Sequence, residues 1–318
     1  MPKAFFKVTR AGPLVTIQDA GRKNMMRFGV PASGPMDRGS FDIANAALGN
    51  QSNKPAIEIS IGGLTLECIE GAVTIAIAGG GFHVEIDGNV FPSWIVTTIR
   101  ARSHLTIKSG LWGSWTYLAF AGQMQAKAWL GSLSTHGPSG LGGGKIITGQ
   151  ILEIADAAVH EMREGEIPCP VSARPRNHLN VVLGPQDRFF APDAIEALFS
   201  NTFVLSDSYD RMGVRLVGPA MKPTILDMPS EPIVRGSIQV AGDGVATVLL
   251  ADHQTTGGYP KIATIISDHI DGFVQLRSRQ KLAFVSVKAE TAIQSLRSKQ
   301  RMRQQFLEGI KGRHYRSL

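Results

Sequence analysis

The chain has 318 residues, 43% of them hydrophobic and 19% charged, with a formal net charge of +7. That composition is ordinary for a globular protein, and the length predicts two domains rather than one core. No apolar run reaches the ~18 residues of a membrane span, MPKAFFKVTR lacks the marks of a signal peptide, and two distant cysteines, Cys68 and Cys169, suit a reducing cytoplasm without a disulfide framework.

A short strand over residues 14–17 runs into Gln18-Asp19-Ala20-Gly21-Arg22, and residues 29–37 (GVPASGPMD) lead into the first predicted helix. That helix covers 37–48. Phe41, Ala44 and Leu48 share one face, Asp37 is placed as the N-cap, and Gly49-Asn50 stops it. Strands with period-2 alternation follow at 57–61, 73–77, 83–86 and 104–107. Residues 159–177 are proline-bearing and charged without alternation, which marks a boundary.

Beyond it, a strand at 179–183 ends in Gly184-Pro185-Gln186-Asp187, and a helix is predicted over 192–199 with Pro192 at its first position. Residues 208–213 (SYDRMG) sit between strands, and Ser230-Glu231 precede 236–239 (GSIQ). A buried-looking strand at 246–251 opens into 252–260 (DHQTTGGYP), followed by Lys261, an apolar run at 262–266 and a strand at 282–287. The final segment, 290–311, reads as a basic helix. Eight Lys/Arg and two Glu fall within 288–318, so the rest of the chain is nearly neutral. The tail is expected to be a solvated helix, not a nucleic-acid surface.

The halves echo each other. At an offset of 173 residues Gly63 meets Gly236, Gly71 meets Gly244, Thr74 meets Thr247 and Ala78 meets Ala251, a pattern of turn, strand, glycine turn, strand that suggests duplication. Mainly β structure in antiparallel sandwiches or barrels is expected. The domains are 1–165 and 178–290, with a C-terminal helix and tail at 291–318.

Several chemistries are excluded. In 139–145 (SGLGGGK) serine stands where a P-loop needs glycine, and Ile146 follows the lysine where Ser/Thr should be. No GxGxxG, G-x-S-x-G or histidine pair with zinc spacing occurs, so no metal site is expected. His253 and His269 read more naturally as structural residues. What remains is polar residues in glycine-bearing loops at strand ends, where a backbone can approach a small polar ligand. Stretch 252–260 is the densest, although a tight hairpin with a solvated tip would use the same residues.

QDAGR, GVPASGPMD, GPQD, DRMGVRL, SE ahead of GSIQ, and DHQTTGGYPKIA occur in this order, and the set resembles the biotin-dependent carboxyltransferase family. That family includes the KipI antagonist KipA, the allophanate hydrolase subunit 2 group, the C subunit of ATP-dependent 5-oxoprolinase, and subdomains A and B of the urea carboxylase carboxyltransferase region. The resemblance covers about residues 5–287. It implies two cyclophilin-like β-barrel domains and a KipI-like partner, the counterpart of subdomains C and D, that completes the site. The chain departs from the family at Leu133, where arginine is usual, at Gln123, and at Ser278-Arg279.

The activity implied is ATP-dependent hydrolysis of 5-oxoproline with that partner and a lactam-cleaving third subunit, with the ATP site mostly on other chains. One alternative is a carboxyltransferase half acting on urea or a similar amide with carboxybiotin; another is a non-enzymatic antagonist of a KipI-like kinase inhibitor. The expected contacts to a small amide substrate are Gln254, Thr255, Thr256, Gly257, Gly258 and Tyr259, faced by Gln18, Asp19 and Arg22. Gln186, Glu231 and Gln239 add polar groups, and Arg211 is the candidate anion binder. Asp37, Asp210 and Tyr259 are the candidate catalytic groups.

Overall fold

The structure, a computed structural model, describes residues 1–312, so positions 313–318 of the expected basic tail lie outside the described residues. Strand accounts for 38% and helix for 20% of the chain, the mainly β composition that the alternation predicted. Two compact units are present. One comprises Met1–Arg22, Ser33–Arg174 and the chain from Arg303; the other comprises Lys23–Ala32 and Pro175–Met302.

The first unit is built from two antiparallel sheets. The seven-stranded sheet runs in spatial order Gln123–Met124, Ile151–Ala155, Lys3–Ala11, Leu64–Glu70, His104–Trp112, Gly81–Ile86, Asn89–Pro92. The six-stranded sheet runs Gly165–Glu166, Ile95–Arg100, Ala72–Ala78, Trp115–Phe120, Ala56–Ser60, Thr16–Gln18. Phe6, Val8, Leu66, Ile75, Ile77 and Leu118 fill the core with no exposure. Helix α1 (Arg38–Ala47) is capped as expected, Asp37 Oδ1 accepting the Ser40 N–H at 2.9 Å. It packs Phe41 edge-on against Tyr117, with ring centroids 5.9 Å apart.

The second unit is a closed barrel of seven strands. Its order is His178–Leu183, Lys261–Ile265, Ser237–Val240, Ala246–Leu249, Gly213–Val217, Thr202–Tyr209, Lys281–Ser286, closing on the first strand. All neighbours are antiparallel except His178–Leu183 with Lys281–Ser286. Alternation sends Leu179, Val181, Val214, Leu216, Ile238, Val240, Val248 and Phe284 inward, each at most 2% exposed, so the barrel is a packed core and not a channel. Their sequence neighbours necessarily face outward.

Helices α2 (Pro192–Ser200) and α4 (Ala289–Lys311) match the predicted helices within a residue. Helix α3 (Ser267–Val274) was not anticipated. It is eight residues long, has no side-chain cap at its N-terminus and contains Gly272, so it carries few of the usual start signals. Buried Ile270, Phe273 and Val274 hold it.

The echo between the halves has a structural basis. Gly63, Gly71, Gly236 and Gly244 all adopt positive φ, between 74° and 92°, and each pair brackets a strand. The likeness is local. Leu64–Glu70 and Ala72–Ala78 lie in different sheets, whereas Ser237–Val240 and Ala246–Leu249 hydrogen-bond to each other.

Candidate functional site

In the first unit Gln18, Asp19 and Arg22 are brought together by the loop Trp129 to Thr135. Asp19 accepts four hydrogen bonds: from the Ser132 hydroxyl at 2.7 Å, the Ser134 hydroxyl at 2.6 Å, the Leu133 N–H at 2.6 Å and the Gly21 N–H at 2.9 Å. Burial pushes its pKa up, but the hydrogen bonds outweigh burial and the net shift is downward. The Arg22 guanidinium lies over the Trp129 ring at 4.6 Å and donates to the backbone carbonyls of Trp129 and Ser134. Gln18 donates to Thr16 Oγ1 at 2.9 Å and to the Thr135 carbonyl at 3.0 Å, while its own buried Oε1 has no hydrogen-bond partner among the described residues. These side chains build a loop. Leu133, at the departure from the family pattern, offers its N–H to Asp19 and packs its side chain on the core.

Asp37 is fully buried. Besides capping α1, it accepts the Ser40 hydroxyl at 2.6 Å, and its own N–H donates to Tyr117 Oη at 2.7 Å. Tyr117 in turn donates to Glu58 at 2.8 Å. Burial, with Glu58 and Asp37 alongside, holds the Tyr117 phenol far above its ordinary pKa. Asp37 is thus a helix cap in a closed network, a position that offers no access to a substrate.

The second unit gathers the rest. Stretch 252–260 is not a tight hairpin. The strands it connects, Ala246–Leu249 and Lys261–Ile265, lie on opposite sides of Ser237–Val240, so the stretch arches over the end of that strand. Two interactions pin the arch to the strand beneath: Gln254 Nε2 donates to Gln239 Oε1 at 3.5 Å, and Gln239 Nε2 donates to the Tyr259 carbonyl at 3.3 Å. Thr256–Gly257 forms a short ladder with Glu231–Pro232, and the Thr255 carbonyl accepts the Ile233 N–H at 3.0 Å. A Cβ on Gly257 would lie 2.6 Å from Ile233 Cδ1 and 2.8 Å from Gln239 Nε2, so a side chain there would displace both tips. Gly258 has looser surroundings, with its nearest neighbours at 3.6 Å or more. His253, buried, donates from Nδ1 to the Gln254 carbonyl at 2.6 Å, and burial lowers its pKa.

Gln186 belongs to a second polar knot: its Nε2 donates to Glu231 at 2.6 Å and its Oε1 accepts the Lys261 N–H at 2.8 Å. The buried Lys261 ammonium reaches Glu231 at 3.5 Å. Arg211 is held differently from its expected role. Its Nε and Nη2 both bond Asp252, each at 3.0 Å, with side-chain exposures of 3% and 0%. That bidentate pair fastens the arch where it leaves the barrel and occupies the face of the guanidinium that would have gripped an anion. Asp210 is exposed and accepts the Met212 and Gly213 N–H groups at 2.7 and 3.1 Å.

A depression of about 680 Å³ lies on the outer face of this barrel. Of the expected residues it is lined by Asp210, Gln239, Gln254 and Tyr259. Tyr259 is 53% exposed, and its hydroxyl makes no hydrogen bond to the described residues. Sequence reasoning missed Arg215 and Thr247, which also line it. Register puts them there: Arg215 is directly opposite Thr247, and Thr247 directly opposite Gln239. The arrangement offers amide donors and acceptors, a hydroxyl, a phenol and a guanidinium to one small polar ligand.

Among the described residues no group of three or more His, Cys, Asp or Glu could hold a metal ion, and no helix is long and apolar enough to cross a membrane. The glycine-rich 139–145 stretch does not fit a nucleotide. A Cβ on Gly142 would lie 2.2 Å from the Ser134 carbonyl oxygen, Gly143 packs on Leu133 and Ile17, and Lys145 forms a β-bridge with Thr16 instead of opening a helix.

Residues 28–286 match the family described as carboxyltransferase domain, subdomain A and B. The chain is 33% identical over 305 residues to the C subunit of 5-oxoprolinase from Escherichia coli strain K12, covering 94% of this chain and 97% of that protein. Among solved structures it resembles TTHA0988 with a TM-score of 0.80 at 29% identity over 90% of this chain, and spans 56% of that chain. It also resembles the urea carboxylase of Kluyveromyces lactis, with a TM-score of 0.85 at 25% identity, across 98% of this chain but only 30% of that larger one. The matched family, the near end-to-end likeness and the shared fold place this chain in the carboxyltransferase domain, subdomain A and B, family.

Proposed function

We propose that the chain is one subunit of an ATP-dependent 5-oxoprolinase, which works in the cytoplasm with a KipI-like subunit and a lactam-cleaving third subunit. The observation that carries this reading is the match to the C subunit of the Escherichia coli 5-oxoprolinase, which leaves almost nothing of either chain uncovered. The outer-face depression supports it. A lactam presents one N–H donor and one carbonyl acceptor, and the Gln239 and Gln254 amides carry the complementary groups on adjoining segments.

Opening an unactivated lactam is uphill near neutrality. In the proposed sequence the terminal phosphoryl group of ATP passes to the amide oxygen. A first water adds to that carbon and the C–N bond breaks, leaving the ring-opened amine and an acyl phosphate; a second water then attacks the same carbon, and phosphate departs with the former amide oxygen. Among the lining groups able to move a proton are Tyr259 and Asp210. Thr255, Thr256 and Gly258 shape the arch above the ligand. Gln18, Asp19 and Arg22 serve by building the Trp129 to Thr135 loop, and Arg211 by anchoring the arch. The nucleotide is held elsewhere in the assembly. Co-expression with the KipI-like and lactam-cleaving subunits tests the reading: ATP-dependent release of glutamate from 5-oxoproline is expected, and its absence from a correctly assembled complex would refute it.

A second reading, the carboxyltransferase half of a biotin-dependent urea or amide carboxylase, is favoured by the likeness to the urea carboxylase structure over 98% of this chain. It requires a biotin-bearing partner. Recovery of a biotinylated chain with the native complex would favour it over the first.

A further inference from the structure

We infer that Arg215 is the residue that reads the substrate's carboxylate in the outer-face depression. The inference rests on the lactam reading above and adds to it the group that selects an anionic substrate. Arg211 cannot do this work, because its fork is closed by Asp252. Of the residues that line the depression, Arg215 alone is cationic.

Three observations converge. Arg215 is 51% exposed at its side chain and uses one donor, Nη2, on Asp243 Oδ2 at 2.6 Å; its other guanidinium donors make no hydrogen bond to the described residues. It stands in a row fixed by strand register, opposite Thr247, which is opposite Gln239. Directly opposed side chains start about 5 Å apart, so Arg215 and Gln239 emerge about 10 Å apart with the Thr247 hydroxyl between them. Both side chains are long enough to lean over Thr247. A single small ring fits that interval with a carboxylate at the Arg215 end and an amide at the Gln239 end. The two carboxylates in the lining are already engaged: Asp210 accepts backbone N–H groups and Asp207 pairs with Arg279. Asp243, outside the lining, holds Arg215 by that one Nη2 contact and leaves the other edge of the guanidinium to the ligand.

The experiment uses the complex of this chain with its partner subunits and two probes: L-5-oxoproline, and 2-pyrrolidinone, the same ring without the carboxylate. Arg215→Gln is expected to raise both the calorimetric Kd and the KM for 5-oxoproline by about 10- to 150-fold, the range for losing a charge-assisted hydrogen bond. Its kcat should stay near wild type, and 2-pyrrolidinone binding should not change. Arg215→Lys keeps the charge without the fork and should fall between. Unchanged 5-oxoproline affinity, an equal loss for both probes, or a loss confined to kcat would overturn the inference while leaving the proposed function standing. If the wild-type complex releases no glutamate yet binds 5-oxoproline in a manner that Arg215→Gln abolishes, the proposed function fails and the anion-reading role survives. Binding of neither probe by wild type overturns both.

Discussion

Replacing Asp252 with alanine should destabilise the second unit severely. The substitution deletes two hydrogen bonds of 3.0 Å from a guanidinium whose side chain is 3% exposed. Hydrogen bonds to charged groups contribute about 1.5–3 kcal/mol each, so two give about 3–6 kcal/mol. Breaking a buried ion pair by removing one partner costs about 3–5 kcal/mol, and the two routes agree. Urea unfolding of the purified chain, followed by circular dichroism, measures this. With a slope of about 1–3 kcal/mol per molar, the midpoint should fall by roughly 1 M or more. The double variant Arg211→Met, Asp252→Leu should recover most of the loss, because it leaves no charge buried without its partner. An Asp252→Ala chain within about 1 kcal/mol of wild type, below the usual cost of leaving one buried polar group unsatisfied, would refute the reasoning. So would a double variant as unstable as the single one. Arg211→Lys should likewise weaken the fold without changing the KM for 5-oxoproline. A raised KM in a folded protein would return Arg211 to the ligand.

Gly257→Ala should shift Gln239, since the new Cβ would meet flexible tips of Ile233 and Gln239 at 2.6 and 2.8 Å. A stability loss of about 1–3 kcal/mol is expected, with a KM for 5-oxoproline raised at unchanged kcat as the kinetic readout. Asp19 has a lowered pKa, so its contribution is present above the ordinary carboxylate range and is lost as pH falls through the depressed folded value. Asp19→Asn should flatten that acid limb in a Tm-against-pH series, and an unaltered limb would refute the assignment. Burial drives the His269 pKa down to about 4, with Arg176 assisting. The folded chain therefore favours neutral imidazole, and stability should decline as pH drops from about 6.5 toward 4. His269→Gln, which retains an acceptor for the Asn180 N–H now 3.0 Å from Nδ1, should remove that slope.

Local features of the fold were readable in advance. The alternating strands, the Asp37 cap and the glycines at 63, 71, 236 and 244 all follow from short-range chemistry, and each occupies the expected kind of position. Partnerships across long stretches of chain were not readable. Nothing near Arg211 announces Asp252, 41 residues away, and the adjacent carboxylate, Asp210, bonds backbone N–H groups instead. Stretch 252–260 contributes Gln254 and Tyr259 to the depression but is not a tight hairpin, because whether two strands are neighbours or flank a third is a matter of topology, not of turn residues. Arg215 and Thr247 escaped notice for a related reason. An outward position on one strand gains meaning only when register sets it beside outward positions on two others.

The arch and the depression sit on the outside of a barrel whose inside is sealed. Core and surface are thereby written in alternate letters of the same strands: Val214, Val248 and Ile238 maintain the scaffold, while Arg215, Thr247 and Gln239 line the depression. A lineage could exchange the second set to accept a different amide and leave the first untouched. One barrel could in this way serve lactams in one assembly and linear ureas in another without being rebuilt.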